Sequence, residues 1–312
     1  MDFRTAFEPF QLGNQNLRNR FIKTATYEGM TPNSMPSSDL IEHHRRIAEG
    51  GVAMTESDLQ QVLDDFERAA ELSMEAGFDA VEVHLGHGYL LSQFLSPWSN
   101  RRKDKYGGSL ENRLRFPLQV IERVRKAVGD NPILAKINVS DGFKGGLEPV
   151  EAMVISKALD QHVDAIVTSG GFTSKSPLFL LRGGRPLRDM IEVEESLAQK
   201  LALLLFGPFV VKAFPFEENF FQNTAARIRG EVNTAVCLVG GVSSRAGVES
   251  AMKDGIQLLA LGRALIHDPD FVRKLEQETI TKSGCVHCNR CIAEMDRSGV
   301  RCVLDDAPGF RI

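Results

Sequence analysis

The sequence predicts an α/β fold: a (β/α)₈-type barrel lacking about one βα unit, hence seven-stranded or open, with a short Cys-rich tail at its carboxyl end. Three observations predict it. Short runs of β-branched and aliphatic residues alternate with helix-period segments through most of the chain, the order of a parallel sheet. Polar and titratable residues gather just beyond several of those runs, where barrel enzymes carry their chemistry. Glycine pairs follow the last two runs, as in barrels that bind phosphate groups. A doubly wound sheet is the competing architecture, but no G-x-G-x-x-G follows the first run.

The runs that read as strands are residues 20–25, 51–54, 80–84, 133–139, 165–169, 235–239 and 258–261. A helix is expected over residues 38–49, closed by Gly50 and Gly51. The clearest helix begins after Met54: Thr55-Glu56-Ser57-Asp58 reads as a capping box. Leu59, Val62, Leu63, Phe66, Ala69 and Ala70 then form one apolar stripe, and Gly77 terminates it. Residues 189–206 read as an extra helix inserted before the apolar run 209–212. No linker interrupts the chain before about Glu278, so residues 1–277 are expected to form one barrel domain and 278–312 a Cys-rich tail.

Composition excludes more than it selects. The 312 residues are 43 % hydrophobic and 25 % charged, ordinary for a globular protein. A formal net charge of −4, with no block of Lys or Arg, argues against nucleic-acid or anionic-membrane partners and leaves a small-molecule substrate. The longest apolar stretch, 201–211, is too short to span a bilayer. No leader pattern or peroxisomal tripeptide is read at the termini, so a cytoplasmic location is expected.

Chemistry concentrates at four places. His84, His87 and Tyr89 stand where the run 80–84 leaves the sheet; two imidazoles and a phenol there can grip a carbonyl oxygen and deliver a proton beside it. Lys136 lies inside an apolar strand, costly for an ammonium unless it meets an anion. Gly240-Gly241 and Gly262-Arg263 follow successive strands; glycines let backbone N–H groups close on phosphate oxygens and the arginine supplies charge. Cys285, Cys288, Cys291 and Cys302 lie within eighteen residues, with metal-type spacing, while Cys237 reads as a core residue. Free thiols, a [4Fe–4S] cluster and zinc all remain open for the four.

The segment from His84 to Arg113, with Asn100-Arg101-Arg102 and Tyr106-Gly107-Gly108-Ser109-Leu110-Glu111-Asn112-Arg113, resembles the signature of the old yellow enzyme family, and the likeness extends from about Phe7 to Cys302. These are NAD(P)H:flavin oxidoreductases that reduce activated C=C bonds with FMN. The resemblance implies that His84 and His87 donate to the substrate's carbonyl oxygen and that Tyr89 protonates its α-carbon. It implies that Lys136 stands beside the flavin's N1 and C2 carbonyl, and that Thr24, Ala25 and Thr26 run along the flavin. Gly240, Gly241, Gly262 and Arg263 would then hold the FMN phosphate, with NAD(P)H a transient reductant. Family members commonly have Pro at the position of Ala25 and Cys or Thr at that of Tyr27, so the residue that tunes the flavin is not carried over. The dienoyl-CoA reductase branch holds a [4Fe–4S] cluster on a similar cysteine pattern, with its second and third gaps one residue longer than here.

The same resemblance exposes a gap. Gly51-Val52-Ala53-Met54 runs straight into Thr55, where the family continues into a helix, a third strand ending in a flavin-contacting Gln, and a long substrate loop. Removing one strand opens the wall or forces a seven-stranded closure. Three functions are therefore weighed: an FMN-dependent ene reductase, a catalytically impaired short form, and a Schiff-base aldolase-like barrel built on Lys136.

Overall fold

The computed structural model describes residues 1–23, 54–194, 196–295 and 299–304. The chain opens with an antiparallel hairpin, β1 (Phe10–Leu12) and β2 (Gln15–Leu17), turned at Gly13, where φ is +54°. It continues through β3 (Phe21–Lys23), α1 (Glu56–Glu75), β4 (Val81–Leu85), α2 (Leu90–Leu95), α3 (Leu110–Val128), β5 (Ile133–Asn138), α4 (Pro149–Leu159) and β6 (Ala165–Ser169). The second half runs α5 (Leu187–Val193), α6 (Leu197–Val210), α7 (Gln222–Arg229), β7 (Ala235–Val239), α8 (Arg245–Lys253), β8 (Leu258–Leu261), α9 (Arg263–His267), α10 (Phe271–Glu276) and α11 (Arg290–Glu294).

Six of these strands form one parallel sheet in the order β3-β8-β7-β6-β5-β4. It is a curled half-barrel, with β3 and β4 as its edges among the described residues. Six of the seven expected runs are strands of this sheet. The seventh, 51–54, lies outside the described residues except for Met54, which is in no strand. The expected helix 38–49 and the candidate cofactor residues Thr24, Ala25 and Thr26 also lie outside the described residues.

Period-two alternation divides the strand side chains between two cores. Val83, Leu85, Ile133, Ile137, Ile166, Val236 and Leu259 face the helices. Leu134, Val167, Cys237, Val239 and Leu258 fill the concave face, where Leu12 of the β1–β2 hairpin joins them. The predicted capping box forms: Thr55 Oγ1 accepts from Asp58 N at 3.2 Å, and Thr55 N donates to Asp58 Oδ2 at 2.7 Å. The stripe it starts buries Leu59, Leu63 and Ala70 in the outer core, and α1 packs on α3. Each buried leucine there contributes about 1.5–3 kcal/mol. α1 ends at Ala76, and Gly77 takes φ +85° as expected.

The expected single helix 189–206 is instead two helices. α5 begins at Leu187, the chain turns at Glu194, and Ser196 caps α6 by accepting from Gln199 N. α6 then runs past Phe206 and through Pro208, absorbing the start of the run 209–212. The described part of the tail folds back over the carboxyl ends of the strands: Ser283 N donates to Ser243 O, Arg245 N to Thr281 O and Gly184 N to His287 O, each at 2.8 Å. Among the described residues no helix is long and apolar enough to cross a membrane.

Candidate active site

The parallel register brings His84 opposite Lys136, Lys136 opposite Val167, and Val167 opposite Cys237. All four therefore project to the concave face. Lys136 is 4 % exposed and donates to Glu82 Oε1 at 2.5 Å, one pleat before His84. That carboxylate is the anion the buried ammonium requires.

β4 ends in Gly86-His87-Gly88-Tyr89, a loop held from below by β5. His87 N donates to Asn138 Oδ1 at 3.0 Å, while Asn138 Nδ2 donates to Asp141 Oδ1 and to Gly171 O, each at 2.8 Å. A Cβ on Gly86 would lie 2.8 Å from Asn138 Oδ1, so this close approach requires glycine. Asp141, fully buried, also accepts from Ser96 Oγ at 2.6 Å and Leu147 N at 2.8 Å through Oδ2. From the other side Thr173 N and Oγ1 donate to His87 O at 2.9 and 2.6 Å. This network holds His87 at φ +62°, a left-handed backbone that a residue with a Cβ rarely adopts.

The His87 ring lies with Nε2 2.6 Å from Ser169 Oγ and its centroid 4.6 Å from that of His84. Tyr89 stands at the start of α2 with its ring 5.4 Å from His84 and 56 % exposed. Burial, helped by the Lys136 ammonium, pushes the His84 imidazole down to about 4; burial, then the charges of His84 and Lys136, pushes His87 down to about 3. Both rings are thus neutral at pH 7 and each offers one N–H. The buried Nδ1 of His84 has no hydrogen-bond partner among the described residues.

At the other end of the sheet the two glycine loops follow β7 and β8. Gly240 and Gly241 have φ +134° and +89°, and a Cβ on Gly240 would come 2.9 Å from the Phe221 ring. Gly262 precedes α9, whose first residue is Arg263. Arg263 Nη1 donates to Arg182 O at 2.8 Å and to Asn289 Oδ1 at 2.6 Å. His287, also from the tail, stacks on Phe216 at 3.4 Å between centroids.

One cavity of about 450 Å³ joins these pieces: His87, Tyr89, Lys136, Gly240, Gly241, Gly262 and Arg263 all line it. Ser169, Gly170, Gly171 and His287 line it as well. His84 contributes by packing its ring against His87 and Tyr89. Glu82 and Asn138 were not singled out from the sequence, although each lies two residues along a strand from a residue that was. No local signal pointed to His287.

The four tail cysteines converge on a second, small cavity of about 20 Å³, with Arg263 and Asn289 in its wall. His267 Nδ1 lies 3.3 Å from Cys302 Sγ. None of the four is joined in a disulfide, and burial pushes Cys291 up to about 11 and Cys285 upward. Among the described residues no three or more His, Cys, Asp or Glu side chains stand in a metal-holding arrangement. Cys237 is fully buried in the inner core, as expected.

The curled parallel sheet thus carries titratable side chains at one end of its concave face and glycine loops at the other. Residues 30–171 match the model of the NADH:flavin oxidoreductase / NADH oxidase family. A 4,4'-dithiodibutanoate disulfide reductase from Rhodococcus erythropolis is 32 % identical, the alignment covering 96 % of this chain and 95 % of that protein. The chain therefore belongs to the NADH:flavin oxidoreductase / NADH oxidase family, among the FMN-dependent oxidoreductases. That alignment spans 385 positions against the 312 residues of this chain, so the relative carries residues with no counterpart here. The chain spans smaller shares of other relatives: 39 % of an NADH oxidase from Thermoanaerobacter brockii, at 30 % identity over 92 % of this chain, and 53 % of an NADPH dehydrogenase from Geobacillus, at 33 % over 69 %. Among solved structures, histamine dehydrogenase from Rhizobium sp. 4-9 superposes with a TM-score of 0.73 at 20 % identity, over 96 % of this chain and 52 % of that one. The old yellow enzyme homologue from Zymomonas mobilis gives 0.63 at 16 %, over 91 % and 96 %. These two establish likeness of fold.

Proposed function

We propose that the chain is an FMN-dependent NAD(P)H oxidoreductase that reduces the activated C=C bond of α,β-unsaturated carbonyl compounds. One observation carries the reading: a single cavity joins Tyr89, His87 and Lys136 to Gly240, Gly241, Gly262 and Arg263. The residues fit FMN. The volume is within the usual range for cofactor sites, the glycine backbones and Arg263 suit a phosphate, and Lys136 suits the electron-rich edge of a reduced ring. Bound FMN supplies the hydride.

The chain's own residues do the rest. The neutral imidazoles of His84 and His87 each present an N–H to the substrate's carbonyl oxygen, where negative charge builds in the transition state. Their neutrality keeps them donors that lose no proton to the oxygen. Ser169 Oγ engages Nε2 of His87 and so orients the ring, leaving Nδ1 as the nitrogen free of that contact. Tyr89 delivers a proton to the α-carbon from the open side of the cavity. Lys136 Nζ is engaged by Glu82 at 2.5 Å rather than presented to the cavity as a nucleophile, which argues against the aldolase-like reading.

The impaired short form is favoured by one observation, the sheet left open between β3 and β4 among the described residues. For the tail, four cysteines are a donor type that zinc and iron–sulfur clusters take, but among the described residues their side chains do not stand in a metal-holding arrangement and would have to draw together to hold either. A cavity of about 20 Å³ has room for an ion, while a four-iron cluster requires the loop to widen. Metal and acid-labile sulfide analysis of protein purified without oxygen separates these from free thiols.

The decisive experiment is a visible spectrum of the purified chain incubated with FMN and desalted, followed by anaerobic addition of NADPH or NADH and then an enone. Retained flavin that is bleached by nicotinamide and restored by the enone is expected. A colourless protein assigns the short form, and retained flavin that no enone reoxidises removes the ene-reductase assignment.

A further inference from the structure

The α5–α6 hairpin carries a surface that the site does not use. α6 meets α5 along one line, where a Cβ on Gly207 would lie 3.2 Å from Leu187 Cδ2. Arg185 Nη1 holds its end by donating to Pro208 O at 2.9 Å, and Arg290 ties α5 to the tail through Asp189 at 2.8 Å. Among the described residues nothing covers the outer side of α6. Leu197, Leu204 and Phe209 are 82 %, 62 % and 86 % exposed, and Leu201, Leu205, Phe206 and Val210 are each more than half exposed.

We propose that α6 is the two-fold contact through which two copies of this chain associate, the helices crossing antiparallel. Five of these side chains, Leu197, Leu201, Leu204, Leu205 and Phe209, share one face of the helix, an arc of about 140° at 3.6 residues per turn, and at roughly 100 Å² each make a patch of about 500 Å². That is at the upper end for the largest apolar patch of a monomer and more than half the area each partner contributes to a standard interface. No charged residue occurs from Leu201 to Val211, so one copy meets the other without like-charge repulsion. Glu194 precedes the helix and Lys212 follows it; antiparallel pairing sets Glu194 of each copy near Lys212 of the other and opposes the helix dipoles. Arg185, Arg188, Lys200 and Lys212 are balanced by Asp189, Glu192, Glu194 and Glu195, so the hairpin lacks the basic rim that attracts an anionic membrane. Met190 of α5 and Val211 beyond α6 line the large cavity, so a covered α6 also backs the wall of the candidate site.

Sedimentation velocity of the purified chain tests this. The wild type is expected to be a dimer at micromolar concentration. Leu204→Glu and Phe209→Glu should be monomeric with an unchanged circular dichroism spectrum, because both side chains are solvent-exposed. Glu194→Lys or Lys212→Glu alone should weaken the dimer about tenfold, and the two together should restore it. A monomeric wild type, or a dimer that persists in Leu204→Glu, overturns the proposal. So does a monomer that binds neutral phosphatidylcholine vesicles and loses that binding in Leu204→Glu, an outcome that assigns α6 to lipid. Failure of the double charge reversal to restore the dimer overturns the antiparallel arrangement.

Discussion

At the scale of residues, the candidate chemistry rests on few side chains held by many hydrogen bonds. Tyr89→Phe is expected to leave reduction of the flavoprotein by NAD(P)H nearly unchanged and to slow its reoxidation by an enone by two orders of magnitude or so, the scale of a lost general acid. Stopped-flow measurement of the two half-reactions checks it, and equal losses in both would make Tyr89 structural. Asn138→Ala should release the His87 loop, leaving the buried Asp141 carboxylate one donor short at a cost of about 1–3 kcal/mol. Urea unfolding reads that cost, and a raised KM for the enone reads the displaced His87. Arg263→Ala should weaken FMN binding by about 1–3 kcal/mol in fluorescence titration, the worth of a charge-assisted hydrogen bond. His84, His87 and Tyr89 were legible because three chemically distinctive groups fall within six residues. Glu82, Asn138 and His287 were not, because their meaning depends on register and on a tail that returns from far along the chain.

At the scale of elements, the sequence was most legible where local rules act alone. The capping box at Thr55 and the stripe behind it needed no tertiary knowledge, and both are present. Thr55→Ala should lower stability by about 1 kcal/mol, read as a shifted midpoint in urea with unchanged slope. The six strands were found because continuous aliphatic runs between polar turns have few other uses in a soluble α/β chain. The α5–α6 break was missed for an instructive reason. An apolar stretch that stays exposed carries no buried stripe, so its periodicity could not say where one helix stopped and the next began. α6 also runs on through Pro208, since an exposed last turn tolerates a missing N–H that a central turn would not.

At the scale of the whole molecule, three histidines held neutral couple folding to acidity. Burial is the first cause of the lowered values of His84, His87 and His287, about 4, 3 and 4. The unfolded chain takes up these protons near pH 6.5, before the folded chain does, so stability should fall as pH drops from about 6.5 toward 4. The slope contributed by each group approaches 1.4 kcal/mol per pH unit at about the middle of that window. Urea titrations at several pH values check it, and a flat profile between those limits would show the imidazoles already charged. Inserting a relative's segment between Met54 and Thr55 should raise flavin affinity tenfold or more, roughly the worth of one or two restored hydrogen bonds with ring packing. The sheet order also bears on how the chain is made. Among the described residues β3 is bound in the sheet only to β8, Phe21 opposite Leu259, so the two strands of this pair are more than two hundred residues apart in the chain. On the ribosome, β3 waits for β8 to emerge before this pair can form. Its docking is therefore a late step that must close a loop of more than two hundred residues.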